Sequence, residues 1–189
     1  MKKRYSEGFT LIEMLVVMAI IAIMSVALIL NFRESSRTKN TLQRESLAIV
    51  AALRQAQSLS VASAKFNNIA PCGYGLHYDP TSKLPIVFFR PKSGGNCSLA
   101  RKYDSSVDLE YSKVRFQSVS VEIKAPIFYD VYFQPPDPKT YINDVDPYIF
   151  GAVGTDVIIG FSDRACSSSP NCRKISVYPT GRIEVTDYP

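Results

Sequence analysis

Residues 9–30 form an unbroken apolar run in which Thr10, Glu13 and Ser25 are the non-hydrophobic members. As a helix rising ~1.5 Å per residue, the run reaches ~33 Å, enough to cross the ~30 Å hydrocarbon layer of a bilayer. It contains neither Gly nor Pro, and strands rarely exceed about ten residues, so length selects helix over strand. A cleaved secretory signal is the competing reading. Its apolar core is normally ~7–15 residues followed by a small-x-small site, and this run is longer than that.

A short basic leader, residues 1–8 with Lys2, Lys3 and Arg4, precedes the run. By the positive-inside tendency it would stay cytoplasmic. Arg33, Arg37, Lys39 and Arg44 follow on the other flank, so the basic residues nearly balance and charge alone does not orient the span. The most informative residue is Glu13, a carboxylate near the start of a helix meant for hydrocarbon. Asp or Lys at the centre of a membrane helix costs roughly 2.5–3.5 kcal/mol on insertion scales; Glu near the end costs less, yet still favours a partner. Snorkelling to the headgroups, or protonation, is the plain alternative.

Gly8, Phe9, Thr10, Leu11, Ile12, Glu13, Met14, Leu15, Val16 and Val17 resemble the cleavage and methylation motif shared by type IV prepilins and the pseudopilins of type II secretion. The resemblance covers a short charged leader, Gly at its end, Phe first in the mature chain, Glu fifth, and an uninterrupted apolar helix behind. It implies cleavage between Gly8 and Phe9 by a prepilin peptidase, N-methylation of Phe9, and a role for Glu13 in assembly. Implied partners are that peptidase, other pilin or pseudopilin subunits, an inner-membrane assembly platform and the inner membrane itself. The implied location is the inner membrane with the head outside the cytoplasm, then a surface pilus or periplasmic pseudopilus.

Beyond a polar stretch at residues 31–40, residues 41–64 read as amphipathic. Leu42, Ile49, Leu53, Ala56 and Leu59 fall at helical spacings on one face. Arg33, Glu34, Arg37, Lys39, Arg44 and Glu45 are expected on a solvated face. From Tyr74 onward, short aromatic and β-branched runs alternate with turn signals, predicting strands at 74–78, 86–90, 114–124, 127–133, 156–161, 174–178 and 182–186. The apolar positions in 114–124 change parity, which calls for a bulge or turn near Gln117 and Ser118. Pro179, Thr180 and Gly181 suggest a closing hairpin. The expected class is therefore α+β: a long N-terminal helix, membrane-spanning in its first half and amphipathic in its second, packed on a β-rich head. The expected division is leader 1–8, assembly helix 9–30, amphipathic helix 31–65 and head 66–189.

Residues 134–147, with Pro135, Pro136, Pro138 and Pro147, read as an exposed connection that cannot be a central strand. Asp137, Asp144 and Asp146 there raise a calcium option, but they lack the alternating ligands and glycine of an EF-hand; solvated turn residues are preferred. Cys72, Cys97, Cys166 and Cys172, all outside the apolar run, suggest two disulfides in a translocated head. Three pairings are open, and Cys72 with Cys97 plus Cys166 with Cys172 closes the most local loops. Zinc would want closer pairs, so no metal is expected.

Leu53, Arg54, Gln55, Ala56 and Gln57, and the residues 175–185 with their Pro-Thr-Gly-Arg turn, resemble the H-type minor pseudopilins and related minor pilins. Leu30 stands where many major pilins have proline and Ala22 where they have glycine, which points the same way.

His77 is the lone histidine and reads as a surface or packed imidazole, since no nucleophile or acid can be assigned to it. Gly94 and Gly95 make a turn, not a phosphate loop. The expectation is no enzyme and no cofactor. The net charge of +5 is mild, and scattered solvated charge is the default. Arg101, Lys102, Lys113, Arg115, Arg173 and Lys174 could instead gather into a face for DNA, as a secreted substrate could also bind the head. The contrasting function is a non-polymerising, membrane-anchored binding protein or adhesin.

Overall fold

The structure, a computed structural model, describes residues 10–92, 97, 101–126, 130–136, 139–148, 154–166 and 171–188. The chain divides into two compact units, Met1–Thr38 and Lys39–Pro189. Helix α1 (Leu11–Val61) contributes residues to both.

In the first unit, Leu11–Leu28 is long and apolar enough to cross a membrane, and none of it is buried within the protein. Leu11, Ile12, Met14, Leu15 and Ile23 all lie open. The Ser25 hydroxyl donates to the Ile21 carbonyl at 2.7 Å, so this polar group is satisfied inside the helix and adds little cost in an apolar medium.

The second unit is α+β, as the sequence predicts. Its share of α1 buries Leu42, Ile49, Val50, Ala52, Leu53 and Ala56, the three-and-four spacing of an amphipathic face. The helix ends where Ser63 takes a left-handed conformation (φ 46°) and the Ala64 N–H reaches back to the Leu59 carbonyl at 3.0 Å, a left-handed cap that satisfies a terminal carbonyl. Two antiparallel sheets follow. The first is ordered β3 (Leu109–Lys113), β2 (Leu84–Pro91), β1 (Pro71–Asp79), β5 (Asp130–Gln134), β6 (Lys139–Ile142). The second is ordered β4 (Val121–Pro126), β7 (Thr155–Phe161), β8 (Cys172–Val177), β9 (Ile183–Asp187).

One core joins the helix and both sheets: Leu53 and Ala56 with Tyr74, Leu76, Val87, Phe89, Val131 and Phe133 of the first, and Val157, Ile159, Ile175 and Val177 of the second. Alternation sends Phe88, Tyr132 and Tyr141 to the other face of the first sheet, where they form a second cluster with Tyr103. Gly75 lies opposite Phe88 in the ladder, and a Cβ there would collide with the Phe88 ring. Glycine is what lets that ring lie flat on the sheet.

The loop carrying Tyr103 is fixed by charge. Arg90 forms a two-pronged pair with Asp108, Nε to Oδ1 at 2.6 Å and Nη2 to Oδ2 at 2.5 Å, and Nη2 also donates to the Lys102 carbonyl at 2.6 Å. Burial presses the Arg90 pKa down, but the hydrogen bond and charge of Asp108 outweigh it, so the pKa stands above the ordinary guanidinium value. Burial also drives the Tyr132 hydroxyl far above the usual phenol range, with the Arg90 charge opposing it.

Three expectations need correction. Residues 114–124 are not one strand: β3 ends at Lys113 and β4 begins at Val121, and the expected break near Gln117 and Ser118 falls between them. Glu45 is the cause. It was assigned to the solvated face, yet it is buried, and its Oε2 and Oε1 accept from the N–H groups of Gln117 and Ser118 at 3.1 Å each. Those donors are satisfied by a side chain, so the ladder breaks there and a turn forms. Glu45 sits three residues after Leu42 and four before Ile49, which places it on the helix's inner face whatever its charge. The third correction is residues 134–147, which are not wholly an exposed connection: Lys139–Ile142 is an edge strand with Thr140, Tyr141 and Ile142 buried. An edge position tolerates the neighbouring prolines. The expected strand at 127–133 is seen from Asp130 onward, and residues 127–129 lie outside the described residues.

Glu45→Ala removes two charge-assisted acceptors, each of a kind worth about 1.5–3 kcal/mol. Part of this is offset because a buried charge also disappears. The expected net loss is about 2 kcal/mol in urea unfolding, with faster amide exchange at Gln117, Ser118 and Val119. Unchanged exchange at those three amides would remove Glu45 from its role.

Candidate functional site

The N-terminal site is organised by the start of α1. Thr10 is its cap: the Glu13 N–H lies 3.1 Å from the Thr10 carbonyl and 3.3 Å from Thr10 Oγ1. Thr-x-x-Glu is the capping-box spacing, a signal local enough to be legible in the sequence. A carboxylate in the first turn also meets the positive end of the helix dipole. Glu13 is exposed, and its carboxylate has no partner among the described residues. Gly8 and Phe9, the expected processing pair, lie outside the described residues.

Chemistry that sequence reasoning could not assemble lies in the head. His77 Nδ1 stands 2.8 Å from Asp130 Oδ1, and its ring stacks on Tyr103 at 4.2 Å. The acid partner comes from β5, 53 positions away, so no local spacing could have shown it. No Ser or Cys among the described residues is hydrogen-bonded to this pair.

Of the proposed calcium ligands, Asp137 lies outside the described residues. Asp144 accepts the Arg101 N–H, 43 positions away, at 2.8 Å and so ties two loops together, while Asp146 accepts the Tyr148 N–H at 2.9 Å as a turn acceptor. Among the described residues no group of His, Cys, Asp and Glu is placed to hold a metal ion. Cys72 is bonded to Cys97 and Cys166 to Cys172.

Several of the basic residues are engaged within the head. Arg173 pairs with Asp187 at 3.1 Å and Lys174 with Asp156 at 3.5 Å, while Arg101 lies over the Tyr141 ring at 4.1 Å. Lys113 and Arg115 do come together, in a groove of about 620 Å³ that also takes in Lys83, Phe116, Val119 and Glu122. Lys83 was not anticipated. It sits in the β1–β2 turn in a left-handed conformation (φ 56°). Asp79 holds that turn by accepting from the Thr81 and Ser82 N–H groups at 2.8 and 3.2 Å; the Thr81 bond chiefly holds the Asp79 carboxyl below its ordinary pKa.

Comparison with known proteins adds to this geometry at one end of the chain. The sequence model described as the prokaryotic N-terminal methylation motif matches residues 3–29. No curated protein and no solved structure matches the chain. At residues 3–29 the chain thus carries the N-terminal methylation motif that marks type IV pilin-like precursors, on a helix long and apolar enough to cross a membrane.

Proposed function

We propose that the chain is a structural subunit, a minor pilin or pseudopilin, of a type IV pilus or type II secretion system. A prepilin peptidase cuts it between Gly8 and Phe9 and methylates the new amine. The mature chain then assembles with other pilin or pseudopilin subunits on an inner-membrane platform. One observation carries the reading: the matched motif, residues 3–29, coincides with the uncovered apolar helix Leu11–Leu28, which is long enough to cross a membrane.

Cleavage there creates a cation on Phe9, four positions before Glu13 in the chain. Both charges would sit at one end of an uncovered apolar rod. The Glu13 of one subunit meets the Phe9 amine of an axially staggered neighbour, and because leaving either unpaired in low dielectric is costly, the pair selects register. Helix packing supplies the cohesion. A head outside the cytoplasm is supported by its two disulfides, which persist in oxidising compartments. Leu30, Ala22 and the final hairpin incline the reading toward a minor subunit.

Intact-mass analysis of the protein extracted from membranes of peptidase-positive cells is expected to give a species starting at Phe9, one methyl group heavier than the bare chain. Retention of Met1 under those conditions would sink the proposal.

A further inference from the structure

The two sheets of the head each end in an open strand, and the two open strands are consecutive in the chain. Among the described residues β3 pairs with β2 alone, and β4 with β7 alone. Such edges present backbone N–H and C=O groups with no ladder partner, a ready template for another extended chain. Between them lies the groove of about 620 Å³, walled by Lys113 from β3, by Arg115, Phe116 and Val119 from the connection, by Glu122 from β4 and by Lys83 from the β1–β2 turn. A second groove of about 410 Å³ shares Lys113 and Arg115 and runs on to Ala48, Ala51 and Gln55 of α1.

The walls are built in advance, because Glu45 fixes Gln117 and Ser118 and Asp79 fixes the turn that carries Lys83. The charge is one-sided. Lys113 is paired with Glu110 at 3.2 Å and Glu122 with Lys124 at 2.8 Å, whereas Lys83 and Arg115 are exposed and have no acidic partner among the described residues. Val119 is fully exposed, so the same groove offers apolar surface beside its free cations.

We propose that this groove is a docking site for an acidic, extended peptide segment of a partner protein, added as a strand along the open edge of β3. Its backbone pairs with β3, alternate carboxylates meet Lys83 and Arg115, and the intervening apolar side chains cover Phe116 and Val119. A nucleic acid fits less well. Its bases want aromatic platforms, and Phe116 is half-buried, while two free cations neutralise few phosphates.

The test uses the full chain, disulfides intact, in non-ionic detergent, with a short fluorescein-labelled peptide of alternating Glu and Val. A saturable rise in anisotropy is expected with this peptide and none with its Lys-Val counterpart. Lys83→Glu combined with Arg115→Glu should weaken binding by ~10-fold or more, as should N-methylation of alternate peptide amides, which blocks strand pairing on the unaltered protein. The double variant changes exposed side chains, so its urea midpoint should stay unchanged; if it shifts, the N-methylated peptide alone decides. Four results overturn the proposal: no saturable binding, equal binding of the N-methylated peptide, undiminished binding by a correctly folded double variant, or tighter binding of single-stranded oligothymidine than of the acidic peptide.

Discussion

Asp108→Ala is expected to lower the unfolding free energy by about 3–5 kcal/mol, the range found when one partner of a buried ion pair is removed. The side chains of Arg90 and Asp108 are only 2% and 0% exposed, so the guanidinium loses the carboxylate that neutralises it in a site shielded from solvent. Asp108 also accepts the Asp104 N–H at 2.8 Å, which would lose its partner too. Against a typical domain stability of about 5–15 kcal/mol, this is a large share. Urea unfolding followed by tyrosine fluorescence should show a lower midpoint with little change in slope. Arg90→Met with Asp108→Leu should recover most of the loss, because two apolar groups leave no orphaned charge. A deficit of about 1–3 kcal/mol should remain, from the unpaired Asp104 N–H and Lys102 carbonyl. If Asp108→Ala unfolds at the wild-type midpoint, the pair does not hold the loop over Tyr132 and Tyr141.

This pair also marks the limit of what the sequence discloses. Arg90 ends an apolar run and Asp108 sits among serines; each reads as a surface charge, and only the fold reveals their burial. Glu45 was hidden for the same reason, since its partners are backbone groups 72 and 73 positions away that carry no residue-type signal. Patterns set by local geometry were readable. The apolar run needed only its length, the second half of α1 showed its buried face through Leu42, Ile49, Leu53 and Ala56, and the β8–β9 hairpin showed its turn through Pro179 and Gly181, the latter at φ 80°. β6 was obscured because the prolines before it argue against any strand, although an edge strand escapes that argument. β3 was missed because Glu110 and Lys113, the charges that suit an edge, break its apolar pattern. At the N-terminal site Glu13 stood out as an acid in a setting that penalises acids, while the Thr10 cap beside it, equally local, was overlooked.

Glu13→Ala is expected to abolish incorporation into filaments while leaving processing and the head intact. A neighbour's Phe9 amine would then remain beside hydrocarbon without its counter-charge, a penalty of about 3–5 kcal/mol, or ~100- to 4,000-fold in association at each subunit contact. Glu13→Gln keeps the shape and a hydrogen-bond acceptor but not the charge, so it should fall close to alanine. Glu13→Asp keeps the charge on a shorter arm and should recover part of the assembly. Sheared-filament yield, or cysteine cross-linking between neighbouring helices, reads the effect. A processed mass starting at Phe9 and an unchanged urea midpoint for the head show that nothing else has failed. A non-polymerising anchor gives the opposite pattern: without the acid its helix inserts as well or better, and its surface display is undiminished. Wild-type incorporation by Glu13→Ala would show that apolar packing alone sets the register, and the amine–carboxylate pair would have no part in assembly.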